Sequence, residues 1–270
     1  MGFVTAAVVD ALRLSEHFHR VVLQVPELGR LNLPTSADAA IGVYFGAPDS
    51  PAGRTYTVRH CDPAQCQITV DFVLHGDGLG ANWAHLAAPA DTVTLAYPGS
   101  WYRPHPDASQ VLVADLAGFP ALARIIENVP PDVDAVAVVE VLDRNDLDYL
   151  TTKPGIEVVA SVGTGNGVTD SVLGHLVTTR CAPGRRDYCW FGGEAGAARA
   201  IRKHLRRELH WSVEQFDILG YWRLDSEDWD KRYAEAGPQL FAVYQNALAQ
   251  GKGERLASEE YDLALEQAGL

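Results

Sequence analysis

Positive charge is scarce in this chain. It carries 22 Lys and Arg against 35 Asp and Glu, a net charge of −13 over 270 residues. Nucleic acid as the main partner needs a basic footprint, so that class is excluded. Cysteine is scarce too, with only Cys61, Cys66, Cys181 and Cys189. Their x4 and x7 spacings contain no CxxC and no paired His nearby, so they read as reduced thiols rather than a structural zinc or iron–sulfur site. No apolar run reaches the ~20 residues of a membrane span, which argues against membrane insertion. The opening MGFVTAAVVDALRLSEHFHR lacks the basic start and unbroken apolar core of a secretory signal. The expected location is the cytoplasm.

What is present is a globular composition, 47% hydrophobic and 21% charged, at a length that favours two domains. The first hundred residues carry short apolar or alternating runs: VTAAVVDAL, HRVVLQV, IGVYFG, TYTVRH, QITVDFVLH and DTVTLAYPG. Pro, Gly, Asp and Asn separate them, and this spacing predicts a small closed barrel of six antiparallel strands. NWAHLAAP, residues 82–89, is a short helix candidate. The Pro- and Gly-rich 97–107 stretch reads as a linker.

Beyond it the period changes. QVLVADLAG, DAVAVVEVLD, GIEVVASVG, DYCWFGGE and VEQFDILGYWR read as strands. FPALARIIENV, with Pro120 in its first turn, DSVLGHLVTTR and AGAARAIRKHLRREL read as helices. Strands alternating with helices, apolar on both faces, predict a Rossmann-like parallel sheet. Three regions follow: a barrel over 1–103, an α/β domain over 104–225, and an acidic, helical C-terminal extension over 226–270. A barrel followed by such a sheet suits a flavin on the first and a nicotinamide nucleotide on the second.

The stretch RTYTVR, residues 54–59, places two arginines and a tyrosine on one strand of an acidic protein. Arg54, Tyr56 and Val58 share one face, and Thr55, Thr57 and Arg59 the other. Tyr56 suits a flat aromatic ring, Arg54 a pyrophosphate, and Thr57 the polar edge of a flavin. The alternative is an edge strand with solvated charges. DFVLHGDGLGANWAH, residues 71–85, is an apolar strand, a glycine-rich turn and a short helix, an arrangement that binds anions. It also serves as a plain connection.

These motifs, in this order, together with PALARIIE, GGEAGAARAIRKHL and GYWR, resemble the siderophore-interacting proteins. The resemblance runs from about residue 1 to residue 225. It implies an FAD-containing reductase of ferric siderophores, related to the ferredoxin reductases, with NADPH or NADH as electron donor and ferredoxin as a candidate partner in that role. Arg54, Tyr56 and Thr57 would bind the flavin. Asp71, Phe72, Val73 and His75 would line it. The 76–83 loop, with Gly80, Ala81 and Trp83, would hold its phosphates. Asp115, Gly193, Glu194 and Ala195 would lie at the nicotinamide side, with Tyr221, Trp222 and Arg223 closing the site. Family members carry Gly-Asp-Glu-Thr where this chain has ADLAG: Asp115 stays, and Leu116 and Ala117 replace a carboxylate and a hydroxyl. The absence of an acid–base–nucleophile triad fits redox chemistry carried by a cofactor.

One further patch has two readings. Arg199, Arg202, Lys203, Arg206 and Arg207 lie on one predicted helix. They form either a solvated face suited to the helix dipole or a seat for an NADPH phosphate or an anionic ferric chelate, with Arg180, Arg185 and Arg186 in support. His17 and His19 read as surface residues without a carboxylate partner. Two rival functions share the expected fold: a flavin reductase with a non-iron acceptor, and a flavin- or chelate-binding protein whose nicotinamide site is degraded.

Overall fold

The structure is a computed structural model that describes residues 2–46, 52–74, 78–151, 153–180, 188–224 and 226–270. Six strands form a closed antiparallel barrel: β1 (Val4–Arg13), β2 (Phe18–Gln24), β3 (Ala40–Phe45), β4 (Gly53–Asp62), β5 (Gln67–Val73) and β6 (Thr92–Gly99), in the order β1-β2-β5-β4-β3-β6. Alternation explains it. Val21 and Leu23, Ile41 and Val43, Ile68 and Val70, and Val93 and Leu95 all turn inward and are buried in one core. A helix, α1 (Leu79–Leu86), packs against β2 and β5, three residues earlier than the sequence pattern indicates.

The second layer is a five-stranded parallel sheet of β7 (Gln110–Ala114), β8 (Ala135–Val141), β9 (Ile156–Val162), β10 (Tyr188–Glu194) and β11 (Phe216–Trp222), ordered β11-β10-β7-β8-β9. Every residue of β7 is buried, because helices cover both faces. Leu112, Ala114 and Trp190 pack with α2 (Phe119–Asn128) on one face. Val111, Val113 and Phe191 pack with α3 (Leu173–Arg180) and α4 (Ala195–Arg207) on the other. The strand order reverses at β7, so the carboxyl ends of β7 and β10 flank the crevice where such sheets bind ligands. Asp115 and Glu194 stand at those two ends.

Barrel and sheet are joined by buried contacts. Phe18 of β2 stacks on Tyr149 with ring centroids 4.3 Å apart. Arg59 pairs with Glu127 of α2, and Arg124 donates to the Val58 carbonyl at 2.7 Å. His17 and His19 are not the surface pair that their spacing indicates. His17 Nδ1 lies 2.8 Å from Asp146 Oδ1 of the second domain, a partner far away in sequence. His19 shares the inward parity of Val21 and is buried, with both ring nitrogens unpartnered.

The extension forms a helical hairpin of α5 (Ser226–Ala249) and α6 (Glu254–Gln267). Its acidic face meets α4. Arg202 lies 2.8 Å from Asp262 and 3.6 Å from Glu259, and Arg206 lies 2.7 Å from Glu259 and 3.2 Å from Glu266. Burial raises the carboxyls of Glu259 and Asp262, and the two arginines oppose that shift. No described helix is long and apolar enough to cross a membrane.

Candidate functional site

A cleft of about 170 Å³ opens where the barrel faces the sheet. Its barrel wall is Arg54 to Thr57 of β4 with Asp71 and Val73 of β5. Gly78 to Ala81, at the start of α1, close one end, and Ala117, Pro120, Tyr221 and Trp222 face it from the second domain. RTYTVR and the glycine-rich turn therefore meet, although β5 separates them in sequence.

Each residue has a distinct situation. Arg54 is exposed, and its guanidinium donates to the carbonyl of its neighbour Gly53 at 2.8 Å. Tyr56 turns toward the barrel mouth, its ring 4.5 Å from that of Phe72, and burial pushes its phenol up to about 12. Its hydroxyl lies so close over Gly80 that a Cβ added there would stand 1.7 Å away. The N-cap of α1 is Gly78, which brings no side-chain cap, so the first-turn N–H groups face the cleft beside Arg54. Thr57 is buried against Tyr221. The Tyr221 hydroxyl is near Thr57 without a hydrogen bond of normal geometry, a buried polar atom without a partner at the cleft wall. Asp71 lines the cleft, but its carboxylate is engaged: Arg20 grips both oxygens at 2.8 and 2.7 Å, and Tyr149 donates its hydroxyl at 2.5 Å.

Several expected site residues lie elsewhere. Phe72 has inward parity and is fully buried in the barrel core, so it supports Tyr56 from behind rather than lining the cleft. Trp83 packs against Phe45 and Phe72, at 5.0 and 5.6 Å, on the barrel side of α1. Ala195 is buried beneath Gly220 of β11. His75, and the Gly76 and Asp77 that follow it, lie outside the described residues, as do Cys181, Arg185, Arg186 and the side chain of Arg180.

A larger recess, about 740 Å³, lies at the carboxyl edge of the sheet. Glu194 caps α4 there, accepting from the Ala197 N–H at 3.1 Å and from Gly196. Arg199, Arg223, Lys231 and Arg232 line it, and the Arg223 guanidinium sits 4.4 Å over the Trp229 ring. The cationic lining thus differs from the sequence expectation. Arg202 and Arg206 turn to the α6 carboxylates, because an acidic helix covers that face, and Lys203 is exposed on α4 outside the recess lining. Of the five basic residues on that helix, Arg199 lines the recess.

Asp115 is buried at the centre. Oδ1 accepts from the Ala117 N–H at 2.9 Å and from Gly118 at 3.4 Å. Oδ2 accepts from the Glu194 N–H at 2.8 Å and from Trp222 Nε1 at 2.7 Å. Burial pushes its carboxyl up to about 7, and these donors pull it back. The glycines of GGE make room: a Cβ on Gly193 would stand 2.8 Å from Asp115 Oδ2. At Leu116 the departure from Gly-Asp-Glu-Thr removes nothing from the cleft, because that side chain points into the core. Ala117 does line the cleft, so a hydroxyl is lacking there.

One wall of the recess is missing from the sequence expectation. GTGNG, residues 163–167, follows β9, and Gly163, Gly165, Asn166 and Gly167 all have positive φ, from 55° to 81°. Asn166 is buried and accepts from the Leu116 N–H at 2.9 Å. Glu140 holds the same loop, accepting from Ser171 and the Val172 N–H. Three glycines in five residues after an apolar strand were the available signal.

Two family models match the chain. One, for the siderophore-interacting FAD-binding domain, covers residues 44–102, and the other, for the siderophore-interacting protein, covers residues 107–225. An uncharacterised protein of Mycobacterium tuberculosis is 33% identical over 233 residues, covering 78% of this chain and 80% of its own length. The chain belongs to the siderophore-interacting protein family. Another relative in the comparison is the NADPH-dependent ferric-chelate reductase of Escherichia coli, 28% identical over 67% of this chain and 70% of that protein. The solved siderophore-interacting protein from Acinetobacter baumannii superposes with a TM-score of 0.77, covering 90% of this chain and 100% of that one at 22% identity, which shows the shared fold.

The cleft fits the family's FAD. A helix N-terminus whose N-cap is a glycine, beside an exposed arginine, suits a pyrophosphate. The unpartnered Tyr221 hydroxyl beside Thr57 offers polar contacts for a ring edge, and Tyr56 offers an aromatic surface.

Proposed function

We propose that this chain is an FAD-dependent reductase of ferric siderophores or related ferric chelates, with NADPH or NADH as donor and ferredoxin as an alternative one. The carrying observation is the pairing of two chambers: a cleft whose lining suits a flavin, and beside it a roomy recess lined by four cations. When bound, FAD supplies the exchange between a two-electron donor and a one-electron acceptor.

The residues' work is positional. Arg54 and the first turn of α1 would hold the pyrophosphate and neutralise its charge. Tyr56, backed by Phe72 and Phe45 so that its own position is set, would offer its ring to the flavin. Thr57 and Tyr221 offer hydroxyls at the cleft wall that faces the second domain. The Arg20–Asp71–Tyr149 link holds the wall of β5 against that domain, which fixes the width of the cleft. In the recess, Arg199, Arg223 and Arg232 attract the phosphates of a nucleotide or the carboxylates and hydroxamates of a chelate. Iron enters as part of the substrate. The described residues hold no cluster of three metal-ligating side chains, and none is needed when the chelator brings the ligands.

The test is a spectrum followed by a titration. Purified protein should be yellow, bleach on anaerobic addition of NADPH or NADH, and recolour with a ferric siderophore while a ferrous indicator reports Fe(II). Colourless protein that takes up no added FAD would sink the proposal. Yellow protein that both nucleotides leave unbleached and reduced ferredoxin bleaches would move the donor to ferredoxin.

A further inference from the structure

Trp222 is the residue that the cleft and the recess share among the described ones. Its indole is fixed at two points. Nε1 donates to Asp115 Oδ2 at 2.7 Å. The far edge of the ring lies against Gly167, where an added Cβ would stand 3.5 Å from Cη2. Trp222 therefore borders both spaces.

Asp115 is built to hold that ring. It borders the recess yet is almost wholly buried, and its oxygens already accept from four N–H groups. Three of those are backbone groups that fix the carboxylate itself. The fourth is the indole, the one side chain among them. The carboxylate is anchored to the ends of β7 and β10, and through the indole it reaches the end of β11. Gly193 leaves the space that lets it sit there.

We propose that Asp115 is a positioning residue: through Trp222 Nε1 it holds the indole as a partition between recess and cleft, and nicotinamide entry requires that bond to break. This rests on the function proposed above, with FAD in the cleft and the nucleotide in the recess. The partition sets nucleotide affinity, because part of the binding free energy goes into opening a buried hydrogen bond. It also shields the cleft from water while no donor is bound.

The test uses the FAD-loaded full chain in four forms: wild type, Asp115→Asn, Trp222→Phe and the double variant. NADP⁺, which cannot reduce the flavin, is titrated while the flavin absorbance is followed, and KM and kcat for NADPH are measured alongside. Trp222→Phe keeps an aromatic ring and all three backbone bonds of Asp115 and removes the indole bond. Asp115→Asn, with its oxygen kept toward Ala117 and Gly118, turns an NH₂ toward two donors and frees the indole. Each single variant, compared at full FAD loading, should bind NADP⁺ about tenfold more tightly and lower the KM for NADPH. The double variant should be no tighter than the tighter single one, because both remove the same bond.

Unaltered NADP⁺ affinity in Trp222→Phe, or effects of the two substitutions that simply add, would overturn the proposal while leaving the flavin assignment intact. A wild-type chain that takes up no FAD would overturn both.

Discussion

Tyr149, in the second domain, donates its hydroxyl to Asp71 Oδ2 of the barrel at 2.5 Å, and the same carboxylate is gripped by Arg20. One buried acid thus ties the cleft wall of β5 to the domain opposite. Asp71→Asn should destabilise the protein by about 2–3 kcal/mol, because it removes the charge from a buried two-partner acceptor. Tyr149→Phe should cost about 1 kcal/mol, since the Arg20 pair survives. Urea melts of the flavin-free protein would measure both, and equal costs would contradict the shared-acceptor account.

Arg54 and Phe72 should separate affinity from stability. Arg54 is exposed and bonds to the carbonyl of its neighbour, so Arg54→Ala should leave the melting curve in place and weaken FAD binding roughly 10- to 100-fold. Phe72 is fully buried among Phe45, Tyr56 and Trp83, so Phe72→Ala should cost about 3–5 kcal/mol of stability. Flavin-fluorescence titration and thermal melts of the two variants give the comparison. An Arg54 variant that binds FAD like the wild type would remove the anion site from the start of α1.

Much of this arrangement is readable in the sequence, and what is not has a physical reason. The barrel strands alternate, and the central sheet strands β7 and β10 are largely apolar, because one set buries a single face and the other buries both. RTYTVR and the turn before α1 are chemically conspicuous wherever they fold. Phe72 and Trp83 illustrate the limit. Both belong to motifs beside the cleft, and only strand parity and helix facing show that they point into the barrel. Arg202 and Arg206 illustrate another. A basic helix face looks like a ligand site until the acidic partner helix, from a region outside the motif, is docked on it. His17 and Asp146 pair only because two domains meet.

His19 carries a pH dependence. It is buried with both ring nitrogens unpartnered, and burial, together with His85 and Arg13, lowers its pKa below the ordinary 6.5. The unfolded chain then takes up a proton at a higher pH than the folded one. Stability from this group is present above pH 6.5 and is lost as the pH falls through 6.5 toward the lowered folded value. The wild type should lose more stability between pH 7.5 and 5.5 than His19→Phe, measured by urea denaturation at each pH. Equal losses would place His19 in a hydrated, freely titrating site.

Arg202 decides what the basic face of α4 is for. Its guanidinium is buried, donates to the Ile218 carbonyl at 2.7 Å and faces Asp262 and Glu259. Those α6 carboxylates already balance its charge. Arg202→Ala leaves the buried Glu259 and the half-buried Asp262 short of a partner, so it should destabilise the protein by about 2–4 kcal/mol and expose the helical hairpin to limited proteolysis. The KM for a ferric chelate, measured below the melting range, should stay within about twofold of wild type. Arg199 offers the contrast on the same helix. It lines the recess and reaches one C-terminal carbonyl at 3.4 Å. Arg199→Ala should therefore cost under about 1 kcal/mol of stability and raise the KM for an anionic substrate or for NADPH several-fold. If the two variants exchanged these behaviours, the α6 hairpin would be a movable cover over a ligand site on Arg202 rather than a fixed part of the fold.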